Sequence, residues 1–249
     1  MDAPTHLQLA QLCLDAYRGL IQGCACIVAE HPALHRPRGQ VLGSVCYLVP
    51  WMLGDGTPAT IAVFPGSDDW LDYLRDGNFW KEPHRGGWGR VHQGMQLAWT
   101  AIAEEVMDLA MARVIWTGHS LGAFLAAQGA AEAPERCLEL VTFGEPRPGD
   151  NAYARRFARE LGPKCTRYVN RGDYVALSPP WYWGYRHALP ARWYDGARWV
   201  DGVRLLGWLR AWRPGHGWRD HQMRNYLAAR PDAKKNGGVH LCTHHPARS

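Results

Sequence analysis

A serine hydroxyl becomes a nucleophile only when a neighbouring base takes its proton, and that base needs an acid to hold its tautomer. Ser120 lies in Gly118-His119-Ser120-Leu121-Gly122, with a glycine two residues to either side. Glycines at that spacing leave room for a sharp turn that lifts Oγ clear of the backbone. The flanks supply the elements such a turn requires. Arg113-Val-Ile-Trp-Thr117 is the apolar, partly β-branched run of a buried parallel strand, and the Ala-rich stretch Ala123 to Ala133 predicts a helix directly after it. A helix N-terminus then lies under the serine, its N–H groups and positive dipole end facing any developing oxyanion.

Two further groups must reach that serine, in the chain order acid and then base. Asp173 follows Gly172 at the end of a strand predicted over Thr166 to Asn170, where the carboxyl edge of the sheet would present it. Asp150 is the rival acid, set in a Pro-Gly turn. For the base, His221 stands just before a last helix predicted from His221 to Ala229, and His216 lies five residues earlier between glycines. Spacing leaves both open. His187 reads as a hairpin residue, and His92 and His119 as packing or supporting hydrogen-bond groups. His240, Cys242, His244 and His245 look like a metal cluster on paper, but they sit in a tail whose composition predicts a frayed end. No metal and no other cofactor is expected.

The elements that hold these residues can be read along the chain. Thr5 caps a first helix with Leu7, Ala10, Leu14 and Tyr17 on one face, ended by Gly19 or Gly23. Val41 to Trp51 and Thr60 to Phe64 are β-prone runs joined by Gly54-Asp55-Gly56, an antiparallel pair. An amphipathic piece carries Trp70, Tyr73 and Leu74, and an irregular Gly-rich stretch runs from Gly77 to Gly94. Gln96 to Ala112 predicts one strong helix. Leu138 to Phe143 is another buried strand and Tyr153 to Leu161 another helix. Ala191-Arg-Trp-Tyr194, Asp195-Gly196 and Ala197-Arg-Trp-Val200 predict a hairpin, and Val203 to Trp212 a short helix. Strands alternating with helices imply a mostly parallel sheet with helices on both faces. The 249 residues, 47% hydrophobic, fit one domain over 1–230, with a Trp/Arg-rich insertion at 181–218 and a flexible tail at 231–249.

Five ordered segments together resemble the class 3 lipase family. They are Phe64-Pro-Gly-Ser-Asp-Asp-Trp70, Val91-His-Gln-Gly-Met95, Gly118-His-Ser-Leu-Gly-Ala123, Thr142-Phe-Gly-Glu-Pro-Arg-Pro-Gly-Asp150, and the stretch from Tyr168 to Pro180 that holds Asp173. The resemblance implies an α/β-hydrolase fold and a serine carboxylic-ester hydrolase: a lipase, phospholipase or esterase. Ser120 would be its nucleophile, Asp173 its acid and His221 its base, with Ser67 and the Leu121 amide forming the oxyanion hole. Pro65, Met95 and Ala123 depart from the family's usual Arg, Phe and Gly. The alternatives are a thioesterase or acyltransferase with the same triad, or a catalytically silent binding protein on the same fold.

The formal net charge of +5 comes largely from scattered arginines, with no dense basic block, so nucleic acid is not expected as a partner. A lipid or small ester is. Of the 13 Trp, seven (181, 183, 193, 199, 208, 212 and 218) lie between Asp173 and His221, interleaved with arginines. Such a segment suits a lipid headgroup layer, or else stacks on itself and covers the core. Seven cysteines without regular spacing read as reduced thiols. No signal peptide and no apolar run long enough to span a membrane is visible, so the expectation is a cytoplasmic protein by default, unless export leaves no mark in the sequence.

Overall fold

The computed structural model describes residues 3–31, 42–67, 79–202 and 217–231. Its centre is an eight-stranded sheet of order β1-β2-β3-β6-β7-β8-β9-β10. The strands are β1 (Ala25–His31), β2 (Leu42–Met52), β3 (Pro58–Phe64), β6 (Val114–His119), β7 (Cys137–Phe143), β8 (Cys165–Asn170), β9 (Arg192–Tyr194) and β10 (Trp199–Asp201). From β3 to β9 all neighbours are parallel; β1–β2, β2–β3 and β9–β10 are antiparallel edges. Between β3 and β6 a small ribbon pairs β4 (Lys81–Pro83) with β5 (Arg90–His92).

Alternation along the central strands fills both faces. Ala62, Phe64, Val114, Trp116 and Leu140 face one side, covered by α2 (Gln93–Thr100), α3 (Ala103–Leu109), α4 (Leu121–Glu132) and α5 (Asn151–Leu161). Ile61, Val63, Ile115, Val141 and Phe143 face the other, under α1 (His6–Tyr17) and the last helix, α7 (Met223–Ala228). A short helix, α6 (Gly217–His221), precedes α7. Layers of this kind are what strands apolar on both faces require.

Several expectations change in detail. β1 was not expected; it adds an antiparallel strand beside β2 in the stretch that holds Cys26. The helix expected over Gln96 to Ala112 is two, α2 and α3, broken at Ala101 and Ile102. The Gly77 to Gly94 stretch holds β4 and β5. Thr5 caps α1 in a reciprocal capping box with Gln8, but the helix buries Leu9, Ala10, Cys13 and Ala16, leaving Tyr17 half-exposed. The hairpin at Asp195-Gly196 forms with Tyr194 opposite Trp199. The amphipathic piece at Trp70, the helix expected from Val203, and the tail beyond residue 231 lie outside the described residues.

Candidate active site

Ser120 sits at the turn between β6 and α4 with φ 58° and ψ −126°, a conformation rare for a residue with a side chain. The neighbouring glycines permit it. A Cβ on Gly122 would strike the carbonyl oxygens of Phe64 and Pro65, and one on Gly118 would strike the backbone of Gly122. The helix therefore begins against the end of β3, and the Leu121 N–H stands in its first turn, where helical donors are left without intrahelical acceptors.

Asp173 follows β8. Its N–H donates to the Asn170 carbonyl, and its Oδ1 accepts from the N–H groups of Val175 (2.9 Å) and Ala176 (3.3 Å). Its Oδ2 accepts from Tyr226 Oη at 2.6 Å. His221, the last residue of α6, brings Nδ1 to 2.9 Å from Asp173 Oδ2 and Nε2 to 2.9 Å from Ser120 Oγ. All three side chains are buried. The strand end and the short helix are tied together by their neighbours. Asn170 Nδ2 donates to the Asp220 carbonyl and the Gly172 N–H to the Asp220 carboxylate, at 2.9 and 3.1 Å.

The Thr142 to Asp150 segment supports this pair. Gly144 has φ 61°, and a Cβ there would come within 2.8 Å of Asp173 Oδ2 and 3.0 Å of the His221 ring. Arg147 donates through its guanidinium to the carbonyls of Leu177 and Pro179, fixing the loop after Asp173. Burial lowers the Arg147 pKa to about 10. Asp150 uses its carboxylate to cap α5 through the Tyr153 N–H at 2.9 Å, and it does not meet the serine.

Three supporting groups escaped the sequence reading in whole or part. His119 stacks on the His221 ring at 4.6 Å between centroids. Its Nε2 lies 2.6 Å from the His221 carbonyl and its Nδ1 2.7 Å from Tyr17 Oη. A carbonyl only accepts, so Nε2–H donates to it and Nδ1 receives the tyrosine proton. Burial, and then the charge of His221, hold the His119 pKa well below its ordinary value. Tyr17 thus pins the end of α1 to the serine turn. Tyr226 holds the acid, with its hydroxyl accepting from the Asn170 N–H at 3.0 Å. In the sequence Tyr17 sits in an amphipathic helical pattern with no mark that separates it from core, and Tyr226 is marked only by a loose fit, with His221, to the H-x-x-Y-like ending of the class 3 lipase family.

The remaining histidines fall elsewhere. His92 caps α2, accepting from the Met95 N–H. His187 is not in the hairpin; its ring bonds the Ala176 carbonyl at 2.7 Å, and burial lowers its pKa well below the ordinary value. His216, His240, Cys242, His244 and His245 lie outside the described residues. Among the described residues no group of three or more His, Cys, Asp and Glu could hold a metal, and no helix is long and apolar enough to cross a membrane. A cleft of about 280 Å³ opens over Ser120, lined also by Ser67, Leu14, Trp218 and Met223.

A parallel-centred sheet, a serine at a glycine-flanked strand-to-helix turn, and the order Ser, Asp, His define an α/β-hydrolase fold. The class 3 lipase resemblance is borne out as well: the family model described as lipase (class 3) matches residues 61–183. A secreted mono- and diacylglycerol lipase of Fusarium solani is 32% identical over 116 residues, covering 43% of this chain and 34% of that protein. The secreted lipase MDL3 of Malassezia globosa is 38% identical over 79 residues, 30% of this chain and 26% of its own. The chain thus spans about a third or less of the length of these curated relatives. Among solved structures, the MDLA N225Q mutant of Penicillium cyclopium superposes with a TM-score of 0.57 at 18% identity, over 72% of this chain and 73% of that one. A fungal lipase–inhibitor complex gives 0.57 at 23%, over 76% and 78%.

These relatives correct the expectation of a cytoplasmic protein. They are named as secreted, which points to export. The cytoplasmic default rested on a missing mark and on no residue, so it has nothing to set against them.

Proposed function

We propose that this chain is a serine carboxylic-ester hydrolase acting on lipid-like esters. The observation that carries the proposal is the unbroken relay from Asp173 Oδ2 through His221 to Ser120 Oγ, with both links at 2.9 Å. Ser120 Oγ attacks the ester carbonyl while His221 Nε2 takes its proton. Asp173 keeps the Nδ1–H tautomer and steadies the imidazolium that forms. The Leu121 amide and Ser67 take the oxyanion of the tetrahedral intermediate. The alcohol leaves with the proton from His221, giving an acyl-enzyme. Water, deprotonated by the same imidazole, then releases the acid. One hydrolase domain over 1–230 accounts for this, since the sheet from β1 to β10 is continuous and both ends of the chain's described part pack on it.

The reading is tested by turnover of nitrophenyl esters from acetate to palmitate. Wild type should turn over part of the series and Ser120→Ala none of it above background; equal rates in both would remove the reading.

We infer, in addition, contact with a lipid surface. The Trp/Arg-rich segment divides. Trp193 is buried with Nε1 bonded to the Arg171 carbonyl, and Trp199 is half-buried against α7 with Nε1 bonded to the Ala229 carbonyl. For these two the core-covering reading holds. Trp208 and Trp212 lie outside the described residues. Trp181, Tyr182 and Trp183, by contrast, form one turn whose side chains are 62%, 67% and 47% exposed, and Trp80 beside it is 74% exposed. Lys81 and Arg186 donate to the carbonyls of this turn. Aromatic rings collared by cations favour an anionic headgroup layer.

A further inference from the structure

The cleft over Ser120 is flanked by two arginines from different helices, Arg18 and Arg224. Arg18 is the C-cap of α1, and the preceding residue, Tyr17, is bonded to His119 at the serine turn. Arg224 is the second residue of α7, three positions after His221. The two helices pack on one another, so both guanidinium groups are carried on a frame fixed to the reacting groups. Both side chains are exposed.

Among the described residues, charge at this mouth is one-sided. Neither arginine is within ion-pair distance of a carboxylate, and no acidic side chain lines the cleft, among the described residues. Other exposed arginines do pair, as Arg85 does with Glu132 and Arg159 with Glu160. A guanidinium presents a planar fork of donors matched to phosphate and carboxylate. A cleft lined by one sign also concentrates ligands of the opposite sign.

We propose that the cleft selects esters whose alcohol portion carries an oxyanion, as in an acylated glycerol phosphate, over neutral glycerides. This rests on the ester-hydrolase reading and names its substrate class. The acyl carbonyl lies at Ser120, and the anion on the departing alcohol is met by Arg18 and Arg224 at the rim. An exposed ion pair contributes up to about fivefold, so the pair gives a preference on the order of tenfold.

The experiment compares kcat/KM for three soluble hexanoyl esters below their micellar concentrations: of glycerol, of glycerol 3-phosphate and of glycerophosphocholine. Monomeric substrates separate recognition in the cleft from attraction to a charged surface. Wild type should prefer the glycerol 3-phosphate ester over the glycerol ester about tenfold, with the zwitterion between them and the preference shrinking as salt rises. The Arg18→Gln/Arg224→Gln double variant should bring the ratio to about one, and Arg18→Glu should take it below the wild-type value. Arg155→Gln, on the exposed face of α5, should keep the wild-type ratio. Fluorophosphonate labelling of each variant verifies that the site is folded. A wild-type preference for the neutral ester, or a ratio the double variant leaves unchanged, overturns this proposal alone. No turnover of any ester, nitrophenyl butyrate included, overturns the hydrolase reading and this proposal with it.

Discussion

Replacing Tyr226 by phenylalanine removes one oxygen and leaves the ring where it packs, fully buried against Phe143 and His119. That oxygen does two things: it donates to Asp173 Oδ2 at 2.6 Å and accepts from the Asn170 N–H at 3.0 Å. The carboxylate loses a charge-assisted hydrogen bond, and a buried backbone N–H loses its acceptor. Together they predict a loss of about 3 kcal/mol in unfolding free energy. The effect on catalysis should be smaller than removal of the acid. Asp173 keeps the Val175 and Ala176 N–H groups and His221, so the imidazole stays oriented. We expect kcat on nitrophenyl butyrate to fall about tenfold, equivalent to roughly 1.4 kcal/mol of transition-state stabilisation. Asp173→Asn should cost about 10⁴-fold, as in other serine triads. Urea denaturation and steady-state kinetics on the two variants give both numbers. Wild-type stability and kcat in Tyr226→Phe would refute the reasoning, and so would a loss as deep as that of Asp173→Asn.

Other perturbations follow from the same geometry. Gly122→Ala places a methyl group against the Phe64 and Pro65 carbonyls, so it should lower the melting temperature and abolish fluorophosphonate labelling; a fully labelled, equally stable variant would contradict the close approach. His84, whose pKa burial lowers to about 4, binds its proton more readily unfolded than folded. Its contribution is therefore intact above about pH 6.5 and is lost as pH falls from there toward 4, on the order of 2 kcal/mol by pH 5. Urea midpoints at pH 7 and 5 should show a fall that His84→Gln reduces. The double variant Trp181→Ala/Trp183→Ala should bind anionic vesicles at least several-fold more weakly in a sedimentation assay while hydrolysing soluble nitrophenyl butyrate at the wild-type rate; undiminished binding would place the lipid contact elsewhere.

The central strands were legible because each is buried on both faces and so reads as an apolar run bounded by turn residues. β1 was not, since Ile27 is buried while Cys26 and Val28 beside it are exposed, and a short alternating run near a Gly-Cys pair does not stand out. The break between α2 and α3 carries no glycine or proline; Trp99 and Ile102 are both buried at it, a tertiary circumstance on which local sequence is silent. Ser120 could be read because its glycines are a steric necessity. The choice of Asp173 over Asp150 needed only the rule that strand ends face the site, and Asp150 turns out to cap a helix. His221 was harder. It closes a five-residue helix and does not open the last one, and what places it is Asp220 bonded to Asn170 and Gly172, a long-range tie no local pattern encodes.

The central claim is that Ser120 is the residue acylated during turnover. A fluorophosphonate probe followed by peptide mass analysis tests it directly. The account predicts one adduct, on the peptide carrying Ser120, formed by wild type, strongly slowed in His221→Ala and absent from Ser120→Ala. An adduct on another residue, or equal labelling of wild type and Ser120→Ala, would contradict it.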